Sequence, residues 1–379
     1  MTRTIVANLF AESVWARHAA VLRKSAGVAS PSPLDPRFLP SDDVVGHVAP
    51  LATLLRAFAT DSAEPDVLWT PAPVAPERMP DVPGVPRPLL LSGPRPTPGP
   101  SDLAWAASDD VACAVNDRRF AFEVRAANGW ALPGSGVVDD AGRVDDAVAA
   151  AAAASPDGRW IAKAVHSAAG RGRVGGKGPA LDAPRRNGIE KLLFVHGAVV
   201  VEPWLPRVAD FSATGEATGS GAGGVQVQTL LSSKRGDFRG IAFPATGLGA
   251  GEESRLRAAA GASAAALVSR GYRGPFGVDA FRWRDPAGGA HFHPLCEINA
   301  RLTFGIVARA LANRIAAATG LDPAGPWTFR VGDEAEFVAA RAAPGARVFE
   351  LLLPGPPDGV AAWMTAGAPT PSPAGPGAA

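Results

Sequence analysis

The chain of 379 residues is poor in cysteine and lysine and has no long apolar run. Two cysteines, Cys113 and Cys296, cannot build a disulfide framework. Residues 1 to 30 are interrupted by Glu12, Arg17 and His18, where a secretory signal needs a basic start followed by an unbroken apolar stretch, so a cytoplasmic location is expected. No stretch of about 18 apolar residues exists, and the alanine run from Ala147 to Ala154 is too short to span a bilayer; it reads as a soluble helix. The formal net charge is +1 and no Lys/Arg block stands among aromatics, so bulk charge points to neither nucleic acid nor membrane. Small molecules are the expected partners, and a homodimer is allowed. Lysine occurs only at positions 24, 163, 177, 191 and 234, with arginine supplying the other basic residues. A lysine retained inside a strand is therefore informative, because arginine does not replace its compact charge sterically.

What is present is chain enough for two or three domains. Strands are expected over Thr4–Phe10, Asp66–Trp69 and Pro88–Leu91, with a helix within Val44–Thr60. These suggest a small α/β unit with parallel strands over residues 1–110. Prolines crowd residues 71 to 100 and mark loop or linker. From Asp117 the pattern changes to a helix over Arg118–Asn128, the alanine-rich helix, the strand Trp160–Val165 and a glycine-rich loop. Strands follow at 198–201, 208–213, 225–231, 238–243, 277–283 and 291–299, with helices over 252–270 and 304–319. Strand clusters interrupted by helices fit α+β lobes, here 111–204 and 205–353. Residues 354–379, rich in Pro, Gly and Ala, are expected to be a disordered tail.

The chemistry-bearing segments follow from strand geometry. In Cys296-Glu297-Ile298-Asn299-Ala300-Arg301, alternation puts Glu297, Asn299 and Arg301 on one side, offering hard oxygens beside a permanent cation. A magnesium polyphosphate needs that combination. Asp279 precedes Glu297 by one hairpin, and adjacent strands can set Asp279 beside Glu297 and Asn299 around one or two ions. Lys163 leads into His166-Ser167-Ala168-Ala169-Gly170-Arg171-Gly172-Arg173, where an ammonium and bare backbone N–H groups can cradle phosphate. Val199 to Val201 then leave through Glu202-Pro203-Trp204-Leu205, whose backbone can meet an adenine edge, while Asp210 can reach ribose hydroxyls.

Three decoys are set aside. Gly170, Gly172 and Gly175 match a dinucleotide spacing, but Gly175 to Pro179 cannot readily start the required helix. Lys177 lacks the glycine and the Ser or Thr of a P-loop. His291, His293 and Cys296 suggest zinc, yet alternation should send Cys296 away from both histidines.

Together these segments resemble the ATP-grasp enzymes. Asn116-Asp117-Arg118, the Lys163 strand with Ala169-Gly170-Arg171-Gly172, the Glu202 to Leu205 connection, Gly277-Val278-Asp279 and Glu297 to Arg301 stand in that family's order, over about Val111 to Leu311. The resemblance implies two α+β lobes gripping ATP, preceded by a Rossmann-like α/β domain. Lys163 would contact the phosphates and the Gly170 loop would fold over them, with adenine at Glu202, Pro203, Trp204 and Leu205 and ribose near Asp210. Glu297, Asn299 and Asp279 would hold magnesium, with manganese able to substitute, and Arg301 would bind the transferred phosphate or a carboxylate. Arg118 stands where many members carry a second phosphate-facing lysine, and Gly277 stands where the D-alanine ligase branch has an arginine. The implied activity is ligation of a carboxylate to an amine through an acyl phosphate, releasing ADP and phosphate. The alternatives are a biotin-carboxylase-like or kinase-like member, or a nucleotide-binding protein of the same fold without catalysis.

Overall fold

The computed structural model describes residues 4–5, 42–61, 64–92, 109–167, 172–233, 236–345, 347–356 and 359–367. The architecture is mixed α/β, carried among the described residues on three sheets. Strands β1 (Thr4–Ile5), β2 (Val67–Thr70) and β3 (Leu89–Ser92) run parallel in that order. Strands β4 (Gly136–Val138), β5 (Arg159–Ala164), β6 (Arg173–Lys177) and β7 (Val199–Pro203) form an antiparallel sheet in the order β4-β7-β5-β6. The largest sheet has β8 (Arg207–Thr218), β9 (Gly221–Ser232), β10 (Phe238–Phe243), β11 (Gly274–Arg284), β12 (Ala290–Asn299), β13 (Trp327–Gly332), β14 (Arg347–Leu352) and β15 (Ala361–Ala366). It is antiparallel throughout, in the order β12-β11-β8-β9-β10-β13-β15-β14.

Period-2 patterning orients the small sheet. Trp160, Ala162, Val199 and Val201 face the helices Val144–Ala154 and Ala183–His196 and share their core. Ile161, Lys163, Val200 and Glu202 therefore point to the opposite face. The helix Ala183–His196 starts at Asp182, whose side chain accepts from the Arg185 N–H, has a proline in its first turn, and stops at left-handed Gly197. Gly176 matters for contact: a Cβ there would lie 2.4 Å from the Trp160 indole, so the strand can cross the ring only as glycine.

The helix Phe304–Thr319 buries one face against the large sheet and also against the N-terminal unit. Leu54, Leu68 and Val85 share a core with Leu311, Ile315, Phe329 and Met364. Arginines reinforce that junction by donating to carbonyls of irregular backbone. Arg56 donates to Pro80 O at 2.9 Å and Leu351 O at 3.0 Å, and Arg78 to Leu353 O at 3.1 Å and Val360 O at 2.7 Å.

Several expectations are corrected. The helix expected within Val44–Thr60 is an α-helix over Asp42–Ala52 continued by a 3-10 turn over Thr53–Phe58. The expected disordered tail contains β15, which lies between β13 and β14 with Ala361, Ala362, Trp363 and Met364 buried. Prolines and glycines on either side had masked that short apolar strand. Gly219 and Ser220 form the tight turn between β8 and β9, and Gly221–Gly224 already belong to β9. The end of the glycine-rich stretch after Ser167 is strand, because Arg173–Lys177 pairs with β5. The helix Arg118–Ala127 packs through Phe120, Ala121 and Val124 on the core of the large sheet, while its Arg118 and Arg125 reach β5 and β7 of the small one. Residues 6–10 of the first expected strand lie outside the described residues.

Candidate functional site

On the large sheet, β11 and β12 pair so that Asp279 stands opposite Glu297 and Gly277 opposite Asn299. Directly paired residues share a face, which brings Asp279, Glu297 and Asn299 together. The Asn299 amide nitrogen donates to Asp279 Oδ2 at 3.1 Å, and Arg301 Nη2 donates to Asn299 Oδ1 at 2.7 Å. Asn116 holds the exit of the strand: its Oδ1 accepts from Ala300 N at 2.9 Å and its Nδ2 donates to Ala300 O at 3.2 Å. Gly277 leaves room for the following turn, since a Cβ there would meet Thr303 Cγ2 at 3.0 Å.

Burial first, and then the neighbouring Glu297, push the half-buried Asp279 carboxyl up to about 7. Two carboxylates in that setting call for positive charge, and with the Asn299 amide oxygen they form a hard-oxygen set that fits a magnesium-type ion. Among the described residues no cluster of three or more His, Cys, Asp or Glu side chains exists, so the Asn299 amide is needed to complete the set.

On the small sheet, Ile161 pairs with Glu202 and Lys163 with Val200, which makes Lys163 and Glu202 diagonal neighbours on one face. Lys163 Nζ lies 2.5 Å from Glu202 Oε2, and the other carboxylate oxygen accepts from Arg125 Nη1. Glu202 is buried, which by itself would raise its pKa; Arg125 and Lys163 outweigh this and hold the carboxyl well below its ordinary value.

Arg118 joins the two sheets. Its guanidinium donates to Ala164 O at 2.6 Å, Ser167 Oγ at 2.6 Å, Ser167 O at 2.8 Å and Glu297 Oε1 at 2.9 Å. Gly172 closes the described edge of the loop in a left-handed conformation, with φ of +63°. Ala169, Gly170 and Arg171 lie outside the described residues.

Between the sheets is a pocket whose walls include Ile161, Lys163, Glu202, Pro203, Trp204 and Leu205. Arg125, Leu132, Arg207, Phe281, His293 and Cys296 complete its lining, and sequence reasoning did not find these as pocket residues. The Arg207 guanidinium lies 4.0 Å from the Phe281 ring centre and donates to Cys296 Sγ at 3.4 Å. It also pairs with Asp210 at 3.4 Å, and Asp210 Oδ2 accepts from Ser232 Oγ at 3.3 Å. The alternation argument for Cys296 fails because the β11–β12 register shifts between Asp279 and Phe281, so Cys296 and His293 line the same pocket. The one legible hint of Arg125 was its position four residues after Ala121, on a helix face that turns inward.

No family model and no curated protein matches the sequence. By structure the chain is similar to N5-carboxyaminoimidazole synthetase from Staphylococcus aureus, with a TM-score of 0.51 at 13% identity over 85% of this chain and 91% of that one. The ADP complex of that synthetase gives 0.45 at 14% identity, over 67% and 68%. Biotin carboxylase from Campylobacter jejuni gives 0.42 at 16% identity, over 68% and 64%. At such identities the likeness is one of fold, and the chain has the ATP-grasp fold.

Proposed function

We propose that this protein is an ATP-dependent ligase that activates a carboxylate as an acyl phosphate and joins it to an amine. In the first step a carboxylate oxygen bonds to the terminal phosphorus of ATP as the bond to ADP breaks. In the second the amine nitrogen attacks the carbonyl carbon, phosphate departs, and the amine proton passes to solvent or phosphate. The observation that carries this reading is one pocket lined by Lys163 and Glu202 of β5 and β7 and by Phe281, His293 and Cys296 of β11 and β12, the two strands that also carry Asp279, Glu297 and Asn299. The similar synthetase, named for a carboxyamino product, lends support through the shared fold.

In this reading the chain's own groups bind and orient. Lys163 turns from Glu202 to the phosphates, and the backbone of Glu202 to Leu205 receives the adenine, with Asp210 on the ribose side. Asp279, Glu297 and Asn299 would hold a magnesium ion, whose charge would offset that of the polyphosphate. Arg301 orients an oxyanion, either the migrating phosphoryl or the substrate carboxylate. The parallel β1-β2-β3 unit is read as a Rossmann-like domain on the substrate side.

The test is an ADP-release screen with magnesium over pooled carboxylic acids and amines, with products identified by mass. ADP and phosphate formed only when both pools are present support the ligase. Phosphate release without an amine would replace it with a carboxylase-like or kinase-like reaction. AMP as the main product would end the acyl-phosphate reading, and binding without turnover would leave a nucleotide-binding protein.

A further inference from the structure

His293 on β12 is 3% exposed, and its Nε2 atom has no hydrogen-bond partner among the described residues. A buried polar atom left unpaired is destabilising and uncommon in native folds, so an unpaired nitrogen on a pocket wall points to a partner that arrives from outside the chain. The ring leans on Phe281, with centroids 5.0 Å apart and planes at 54°. Burial first, then Arg125, hold the imidazole down at about 3, so it is neutral, with one nitrogen donating and the other accepting.

A neutral imidazole next to an aromatic ring is poorly suited to phosphate, whose charge calls for cations. It suits a heteroaromatic base, which needs an apolar wall for its face and single hydrogen bonds for its edge. The lining holds both kinds of group: Phe281, His293 and Leu205 offer neutral and apolar surface, and Lys163 and Arg125 supply charge.

Resting on the nucleotide reading above, we propose that His293 is the base-reading side chain of this pocket. Its imidazole hydrogen-bonds the purine base of the bound nucleotide and sets base preference, while the phosphate chain binds at Lys163. His293 is thus a specificity-determining residue. Strand alternation sets His293, four residues before Glu297, on the side of β12 that Glu297 faces, and it pairs there with Phe281.

Calorimetry on the full chain with magnesium, using ADP, GDP and inorganic tripolyphosphate as probes, tests this in wild type, His293→Leu and His293→Gln. His293→Leu should weaken ADP binding about tenfold, the value of one hydrogen bond. Tripolyphosphate affinity should stay unchanged, and so should the melting temperature without ligand, because the variant removes an unpaired polar group. His293→Gln keeps hydrogen-bonding capacity but displaces it, so the ratio of ADP to GDP affinity should move by about threefold or more. That second variant decides the question even if His293→Leu does not fold. Unchanged ADP affinity in His293→Leu, an equal loss for tripolyphosphate, or an unmoved ratio in His293→Gln would overturn the base-reading role alone. Wild type that binds tripolyphosphate and neither nucleotide would overturn it together with the ATP reading.

Discussion

Arg118 Nη2 lies 2.9 Å from Glu297 Oε1, so one guanidinium ties the end of β5 to the acidic row of the large sheet. The same side chain holds Ala164 O and both oxygens of Ser167. A planar fork can satisfy all four acceptors, whereas an ammonium on a flexible stem cannot hold them in that geometry. Arg118→Lys should therefore keep the charge but lower kcat/KM by about ten- to a hundredfold and raise the magnesium concentration needed for half-maximal rate. A magnesium titration of turnover checks this, and an unchanged curve would show that only the charge at position 118 matters.

Lys163→Ala should remove most activity, with a loss of about a hundredfold or more in kcat/KM, and weaken ATP binding. The expected cause is loss of positive charge at the phosphates in a partly water-excluded site. Steady-state kinetics with a direct nucleotide-binding measurement would separate the two effects, and near-normal turnover would move the phosphate site elsewhere.

Arg125 and Glu202 are both buried, and removing one partner leaves the other as an uncompensated charge. Arg125→Met should cost about 3–5 kcal/mol, with part of the loss recovered in the Arg125→Met, Glu202→Gln double variant. The pair also fixes a pH dependence. Because the folded-state pKa of Glu202 is depressed, its contribution is complete above the ordinary value of 4.5 and declines as the pH falls below it. Denaturant titrations between neutral and acid pH should show this decline in wild type and a shallower one in the double variant.

Asp279 has the opposite sign. Its pKa is raised from 3.8 to about 7, so without a metal the folded protein loses stability as pH rises through that interval. Asp279→Asn should stabilise the metal-free protein at pH 8 by about 1–2 kcal/mol, the full shift being discounted for the partial exposure of the group. The same change should remove magnesium-dependent turnover, as should Glu297→Gln. Thermal melts with chelator present, paired with activity assays, check both halves; destabilisation by Asp279→Asn would refute the assigned sign.

Ending the chain at Leu352 should abolish folding, because β15 supplies hydrogen bonds to β13 on one side and β14 on the other. Soluble, cooperatively melting protein after that truncation would contradict an interior place for β15. A tail that took no part in the sheet would leave the melt unaffected.

The strands that carry the acidic row and Lys163 were legible in the sequence because their order depends only on local patterning. Alternation placed Glu297 with Asn299, and a hairpin of evident length brought Asp279 opposite Glu297. The helix Phe304–Thr319 was legible for the same reason, through its apolar periodicity. β15 was not, since its six residues are flanked by prolines and glycines, and its strand identity rests on pairing with β13 and β14.

By itself the sequence determined which groups could do chemistry and which of them share a strand face, because backbone geometry sets a period of two wherever a strand runs unbroken. The tertiary structure alone decided their partners. Arg125 reaches Glu202 across 77 positions and Arg118 reaches Glu297 across 179. The register shift beside Asp279 brings Cys296 into the pocket beside His293 against the alternation rule. Such pairings depend on how sheets and helices pack, and a local residue pattern holds no information about a contact made by chain so far away.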